Sequence, residues 1–455
     1  MRRSLLLLAA LLCVTAHAER YAVLVGVSQL TYQPRNLWLD GPRHDVAAVQ
    51  ARLPALGIAT RHTSVLADGV PGATAPTQAA ILATLDELTP RLQTGDSVLL
   101  YWSGHGVRHP APPKASQEPD GLDEYLLARD AQVDRRSGLP LLHGAVHDAA
   151  LGARIDAWQA RGAQVFAVFD TCHAASSTRG AEPSGLRWRG LQIDQLRSGN
   201  PHTEVAPRLP TPRTRPFFVA FYASESHQRT PEWKGAGLFT QALLAAWSTP
   251  TSEAPSYRVL AATTLQHYRR LAAMLPIARS AWPSPLFEGD LDAPLWGRST
   301  PASTAQPLPV TYRAGLPAGV QVGLTLQRPG QWPQTIGMAD ADLGLLPAGT
   351  QLALTIDNTS GHSLDMALAY RPSVGPDRVL YPVLVGDSNR LEAGQPSTPA
   401  RWQQHFTLTD DGAGPESLLL TLARVLPQSL PRQFGVGDAA GPAAWQARIR
   451  WKVVH

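Results

Sequence analysis

Two residues in this sequence combine a reactive side chain with a setting that would present it. Cys172 follows the short apolar run 165–169, and His105 follows the run 97–102. Each run fits a buried strand of a parallel sheet. Open α/β sheets place their chemistry just past the carboxyl ends of such strands, so both residues are expected at one sheet edge. A cysteine attacks as its thiolate, and a neighbouring imidazole is a common means of securing it. The backbone N–H groups of Gly106 and Cys172 would then serve as oxyanion donors. The chemistry would be acyl transfer by a Cys-His pair. The plainer alternative is a small buried hydrophobe at Cys172 and a surface histidine at His105.

The cysteine inventory bears on that choice. Only two cysteines occur in 455 residues, and the other, Cys13, lies in a segment with the marks of a leader. Arg2 and Arg3 form a positive start, 5–14 is apolar, and Ala16-His17-Ala18 reads as a cleavage site. The expectation is a signal peptide over 1–18 and a secreted or periplasmic mature chain from Glu19. That leaves Cys172 without a disulfide partner, so it is a reactive thiol, an inert one or an intermolecular link. No later run is apolar for long enough to span a bilayer. Net charge is +4, with arginines scattered rather than gathered into a stripe, which argues against nucleic acid as a partner.

The elements that must position these residues alternate between strand and helix. Strands are expected at 20–27, 62–66, 97–102, 165–169 and 217–222. Helices are expected from Asp45, over 77–89, from about Ala145, over 238–247 and over 260–275. This alternation implies a parallel sheet covered on both faces. A loop over 178–216 carries seven arginines, Arg189 among them. Residues 299–309, rich in Ser, Thr, Ala and Pro, read as a linker. Beyond it, short β-like runs at 320–326, 351–356 and 418–422 read as an antiparallel sheet or sandwich. The expected fold is therefore α/β followed by an all-β domain, with boundaries at 19–298 and 310–455. Asn358 opens an Asn-Thr-Ser sequon that is read as chance.

The segments YWSGHG (101–106) and FDTCHA (169–174) resemble the two catalytic blocks of metacaspases, the caspase-like cysteine peptidases. Further blocks follow in the same order: LDGPRHD (39–45), DGLDE (120–124), Ala223-Ser224, GLFT (237–240) and PLFEGD (285–290). The resemblance covers 20–298 and implies a caspase-like three-layer sandwich with a mostly parallel central sheet. It implies His105 as general base and Cys172 as the nucleophile that forms a thioester. It also implies that Asp45, Ser103 and Asp170 line an acidic S1 pocket, with cleavage after Arg or Lys. Read without the resemblance, Asp45 is a helix-start carboxylate and Asp170 orients a turn.

Many metacaspases need calcium, and a hard cation wants about six or more oxygens. The places that carry the family's acidic cluster read His147-Asp148 and Arg179 here, so no cofactor is expected, with Asp123, Asp130 and Asp148 as weak calcium candidates. The arginine loop is either a solvated surface segment or the place, within 179–215, where an Arg-specific enzyme cuts itself. Peptides and proteins with a basic residue before the cut bond are the expected substrates, and the chain is read as a monomer. The rival reading is a caspase-like scaffold that has lost catalysis and only binds. The β-rich part resembles an accessory domain of unknown role.

Overall fold

The computed structural model describes residues 18–110, 122–136, 140–171, 186–197, 218–225, 228–249, 255–279, 282–296, 312–337, 341–373, 378–381, 389–409, 414–425 and 444–454. The leader residues 1–17, the linker 299–309 and Cys172 lie outside them.

The first part of the chain runs β1 (Arg20–Gly26), α1 (Gly41–Arg52), β2 (Thr63–Ala67), α2 (Gln78–Leu88), β3 (Ser97–Ser103), β4 (Gly106–Pro110), β5 (Leu122–Asp134), β6 (Leu141–His147), α3 (Asp148–Ala160) and β7 (Gln164–Asp170). It continues with β8 (Leu186–Trp188), β9 (Phe218–Tyr222), β10 (Pro231–Trp233), β11 (Ala236–Gly237), α4 (Leu238–Trp247), α5 (Tyr257–Ala272) and β12 (Leu286–Gly289). The central sheet has the order β12-β9-β7-β3-β1-β2. All its pairings are parallel except β12 on β9.

Alternation along these strands fills two separate apolar layers. Val23, Val25, Leu100, Trp102, Val165 and Ala167 face Ile81, Leu85 and Trp158 of α2 and α3. Leu24, Leu99, Tyr101, Phe166 and Val168 face Val46, Phe239, Leu243, Tyr257 and Tyr268 of α1, α4 and α5. A sheet buried on both faces explains why its strands read as continuous apolar runs. The result is the three-layer α/β fold expected from the sequence.

Local signals set the helices. Pro42 sits in the first turn of α1, where its missing N–H costs nothing. Thr77 caps α2 by accepting from the Ala80 N–H at 3.3 Å. Two boundaries differ from expectation: α1 begins four residues before Asp45, and α3 begins at Asp148 because β6 occupies the residues before it. The hairpin strands β5 and β6 were not foreseen, nor was β8, which forms inside the segment read as loop.

The rest is all β. It runs β13 (Tyr312–Ala314), β14 (Val320–Gln327), β15 (Gln334–Gly337), β16 (Ala341–Pro347), β17 (Gln351–Asn358), β18 (Leu364–Arg371), β19 (Arg378–Tyr381), β20 (Arg390–Leu391), β21 (Ala400–Thr407), β22 (Pro415–Arg424) and β23 (Ala444–Val454). Two sheets, β13-β23-β22-β18-β19 and β15-β14-β17-β21, share one core of Leu324, Leu354, Ile356, Met366, Leu420 and Trp451. The expected antiparallel pattern holds except at β23, where β13 and β16 pair parallel. Asn358 is fully buried and its amide donates to the His362 and Glu392 carbonyls, so it presents no acceptor for a glycan. The β-rich part meets the α/β part through a buried cluster. There Arg390 lies 3.2 Å from Glu225 and 3.0 Å from Asp365, and Ser363 donates to Glu225 at 2.6 Å.

Candidate active site

Strand register brings the expected site residues to one edge. Ser103 at the end of β3 pairs laterally with Gly26 of β1 and Asp170 of β7. Asp45 reaches the same edge from α1, which presses close on β1. A Cβ on Gly26 would come within 2.7 Å of Val46 Cγ2 and 2.8 Å of the Pro42 carbonyl. Asp45 accepts from the Ser103 hydroxyl and from the Gly237 N–H, both at 2.8 Å. Asp170 accepts from the Thr240 N–H at 3.0 Å and from its hydroxyl at 2.6 Å, and the Tyr101 hydroxyl holds that same Thr240 oxygen at 2.6 Å. Neither plain reading survives: Asp45 lies past the first turn of its helix, with no role as a cap, and Asp170 is tied into α4.

The three residues expected to receive a substrate side chain hold one of the chain's own. Arg189, fully buried, places Nη2 at 2.6 Å from Asp45 Oδ2 and Nη1 at 2.8 Å from Asp170 Oδ1. Nη1 also donates to the Asp170 carbonyl at 2.7 Å. Glu232 of β10 stands 3.9 Å away as a third carboxylate. The solvated-loop reading therefore fails for this arginine. Burial pushes Asp45 up to about 6, against the pull of Arg189 and with the Asp170 charge adding. Burial also weakens the hold of Arg189 on its proton, but the three carboxylates reverse that and raise it.

Two glycines shape this hole by what they lack. A Cβ on Gly237 would fall 2.2 Å from Asp170 Oδ2 and 2.7 Å from Arg189 Nη1. A Cβ on Gly41 would fall 2.6 Å from both Arg189 Nη2 and Glu232 Oε2. Both sat in segments noted for resemblance, but nothing in their sequence context assigned them to a wall. Glu232 and Arg189 were likewise unassigned. Their roles follow from β8 pairing antiparallel with β10, with Trp188 opposite Pro231 and Arg187 opposite Glu232. The Arg189 N–H extends that ladder to the Thr230 carbonyl at 2.8 Å.

His105 is buried at the same edge. Its Nε2 lies 2.8 Å from the Leu37 carbonyl, which can only accept, so that nitrogen carries the proton. Nδ1 is left as the acceptor, and the Gly190 N–H donates to it at 3.1 Å. Burial pulls the ring's pKa down to about 3, the Leu37 bond opposes this, and the charge of Arg189 adds to it. The ring is therefore neutral with a lone pair on Nδ1. Gly106 opens β4, and its carbonyl accepts from the Leu191 N–H at 3.0 Å. Buried Thr171 is the last described residue of the segment that carries Cys172 in the sequence.

The weak calcium candidates do not form an oxygen cage. Asp123 and Asp148 flank the His147 imidazole at 3.4 and 2.7 Å. Burial disfavours the charged ring, but the two carboxylates outweigh it and raise its pKa. Asp130 instead accepts from the Gln78 N–H at the start of α2. Among the described residues no three His, Cys, Asp or Glu side chains stand where they could hold a metal ion, and no helix is long and apolar enough to cross a membrane.

The chain's similarity to known proteins is concentrated in this region. Residues 20–179 match the family model described as the metacaspase, peptidase C14 domain. Metacaspase-8 of Arabidopsis thaliana is 31% identical over 113 residues, 25% of this chain and 29% of that protein. Metacaspase-7 of the same plant is 32% identical over 111 residues, 24% and 26% of the two chains. The aligned region thus spans under a third of the length of these curated relatives. A Geobacter sulfurreducens protein of known structure aligns over 59% of this chain and 92% of its own, at 20% identity and a TM-score of 0.41. Caspase-1 from Spodoptera frugiperda aligns over 63% and 92%, at 12% identity and a TM-score of 0.35. By its sequence blocks and its family match, the α/β part of this chain carries a metacaspase domain of the peptidase C14 family, the domain of a cysteine-type peptidase.

Proposed function

We propose that this chain is an exported cysteine endopeptidase that cuts after arginine or lysine, with Cys172 as nucleophile and His105 as general base. One observation carries the reading. An arginine side chain fills the acidic hole of Asp45, Asp170 and Glu232 while the next peptide N–H rests on His105 Nδ1. A cation selects this hole because two or three buried carboxylates without one repel each other. Arginine's planar fork meets two carboxylates at once, which lysine cannot do.

The proton path follows from the tautomer. The Leu37 carbonyl fixes the proton on Nε2, so Nδ1 can take the Cys172 thiol proton and return it to the departing amine. Gly106 and the Cys172 backbone N–H are proposed as donors to the oxyanion. The described carboxylates do not fit a calcium cage, so no step is assigned to a metal. Export rests on the leader-like residues 1–18 and calls for a mature chain starting at Glu19.

The test uses the mature protein with peptide amides ending in Arg, Lys or Asp, with and without calcium, beside Cys172→Ala and His105→Ala. Turnover of the Arg and Lys peptides, abolished in both variants, is expected. Equal inactivity of wild type and variants on every peptide would leave only the scaffold reading.

A further inference from the structure

The segment that fills the acidic hole is more than a plug. β8 lies antiparallel to β10 as an added strand, with main-chain pairing through the Arg189 N–H to Thr230. Side chains then alternate. Leu186 is buried, Arg187 is exposed, and Trp188 is half-buried with the Arg229 guanidinium 5.8 Å from its ring centre. This is how an extended peptide is read by a sheet edge: backbone bonds hold it and alternate side chains are sorted. After Arg189 the chain turns at Gly190, whose φ of 94° suits glycine and few other residues. The Leu191 N–H then reaches the Gly106 carbonyl, and its side chain is buried.

A structural ion pair would need only the contacts of the guanidinium. It would not need a strand docked in register before Arg189, nor the following amide on the one free nitrogen of His105. Both are what a substrate needs.

We propose that Leu186–Leu191 is a resident substrate, and that the enzyme cuts its own chain once, intramolecularly, between Arg189 and Gly190. This rests on the reading of the site as a cysteine peptidase and names both the bond and the regulation. Until that bond is cut, the segment excludes other substrates. The Cys172 thiol gives its proton to His105 Nδ1, and sulfur bonds to the Arg189 carbonyl carbon. As the carbon–nitrogen bond breaks, the Nδ1 proton passes to the Gly190 nitrogen, which leaves as a new amino terminus. Water then attacks the thioester, its proton returning through Nδ1 to sulfur, and Arg189 becomes a carboxyl terminus. One water is consumed.

The same register implies a substrate preference: leucine-like apolar three residues before the basic residue, any residue next, and an aromatic immediately before it. Leu-Arg-Trp-Arg is the sequence the chain itself presents.

The test follows intact mass and new amino termini of the full chain during expression and purification, for wild type, Cys172→Ala, Arg189→Lys and Arg189→Gln. Protein is sampled over a hundredfold range of concentration. A fragment beginning Gly190-Leu191-Gln192 is expected in wild type. Its rate should be independent of concentration, slower in Arg189→Lys and absent in Cys172→Ala and Arg189→Gln. Because Arg189→Gln strands buried carboxylates and might not fold, the wild-type terminus and the Arg189→Lys rate carry the decision. A wild-type chain that turns over Arg peptides yet stays intact at this bond, or is cut only elsewhere, overturns the inference and spares the peptidase reading. A chain that cuts neither itself nor peptides overturns both. Turnover of acetyl-Leu-Arg-Trp-Arg amide no better than of acetyl-Gly-Gly-Gly-Arg amide overturns the claimed preference.

Discussion

The Gly190 N–H donates to His105 Nδ1 at 3.1 Å, while the opposite nitrogen of the same ring is held at 2.8 Å by the Leu37 carbonyl. The imidazole is thus locked as one tautomer, and its basic nitrogen is aimed at the peptide that follows a buried arginine. Asymmetry of this kind is what a group that must first accept and then return a proton requires.

Gly237 tests the shape of the hole. Its φ of −65° is one that any residue adopts, so alanine there adds volume without backbone strain. That volume meets Asp170 Oδ2 and both guanidinium nitrogens of Arg189. Gly237→Ala is expected to lower kcat/KM for Arg peptides at least a hundredfold. It should cost about 1–3 kcal/mol of stability, as overpacking of a filled interior does. Titration of peptide turnover beside thermal unfolding separates the two effects.

Charge in the hole is tested at Asp45. Asp45→Asn keeps the shape but leaves Arg189 with one close carboxylate fewer. Breaking one partner of a buried pair costs about 3–5 kcal/mol. The variant is expected to unfold at lower temperature and to lose preference for Arg over a neutral citrulline-ended peptide. An unchanged Arg-to-citrulline ratio would count against Asp45 as a selector.

His105 gives a pH signature whose sign can be worked out. In the folded chain the ring stays neutral down to about pH 3, whereas an unfolded histidine takes a proton below about 6.5. Between those values the unfolded state binds more protons, so His105 makes the fold less stable as pH falls through that window. The loss approaches about 1.4 kcal/mol for each pH unit between the two values. Asp45, raised to about 6, acts in the opposite sense between about pH 4 and 6, because there the folded state holds the extra proton. Comparing wild type with His105→Gln by chemical denaturation from pH 7 to 4 cancels the Asp45 contribution. Wild type should lose stability faster than the variant as pH drops.

The contact between the two parts of the chain rests on Arg390, 1% exposed, between Glu225 and Asp365. Glu225 follows Ser224 and lies near the strand that receives β8. Arg390→Met would leave two buried carboxylates unmatched and is expected to cost about 3–5 kcal/mol. A double-mutant cycle with Glu225→Gln should recover part of it. Additive effects would mean the two side chains act independently.

Much of the fold was legible because the sheet is buried on both faces, so its strands announce themselves as apolar runs and its helices as 3.6-residue stripes. α4 forms over the expected 238–247. The hairpin of β5 and β6 was not legible, because a strand with a register shift between Leu127 and Gln132 breaks the two-residue alternation. His105 and the lateral neighbours Ser103 and Asp170 could be placed from strand ends alone. Arg189 could not, being one of seven arginines in a polar segment. What distinguishes it is burial against β10, a three-residue strand with no apolar signature of its own. Gly41 and Gly237 were invisible for a related reason: what matters is the Cβ they lack beside a side chain distant in sequence.

The central claim joins a nucleophile to a selector, and one measurement reads both. Purified mature protein is treated with peptidyl acyloxymethyl ketones ending in Arg or Asp, and the modified residue is mapped by mass spectrometry. A single adduct on Cys172 from the Arg reagent, little or none from the Asp reagent and none in Cys172→Ala is the predicted result. Equal labelling by both reagents, or an adduct on another residue, would contradict the account.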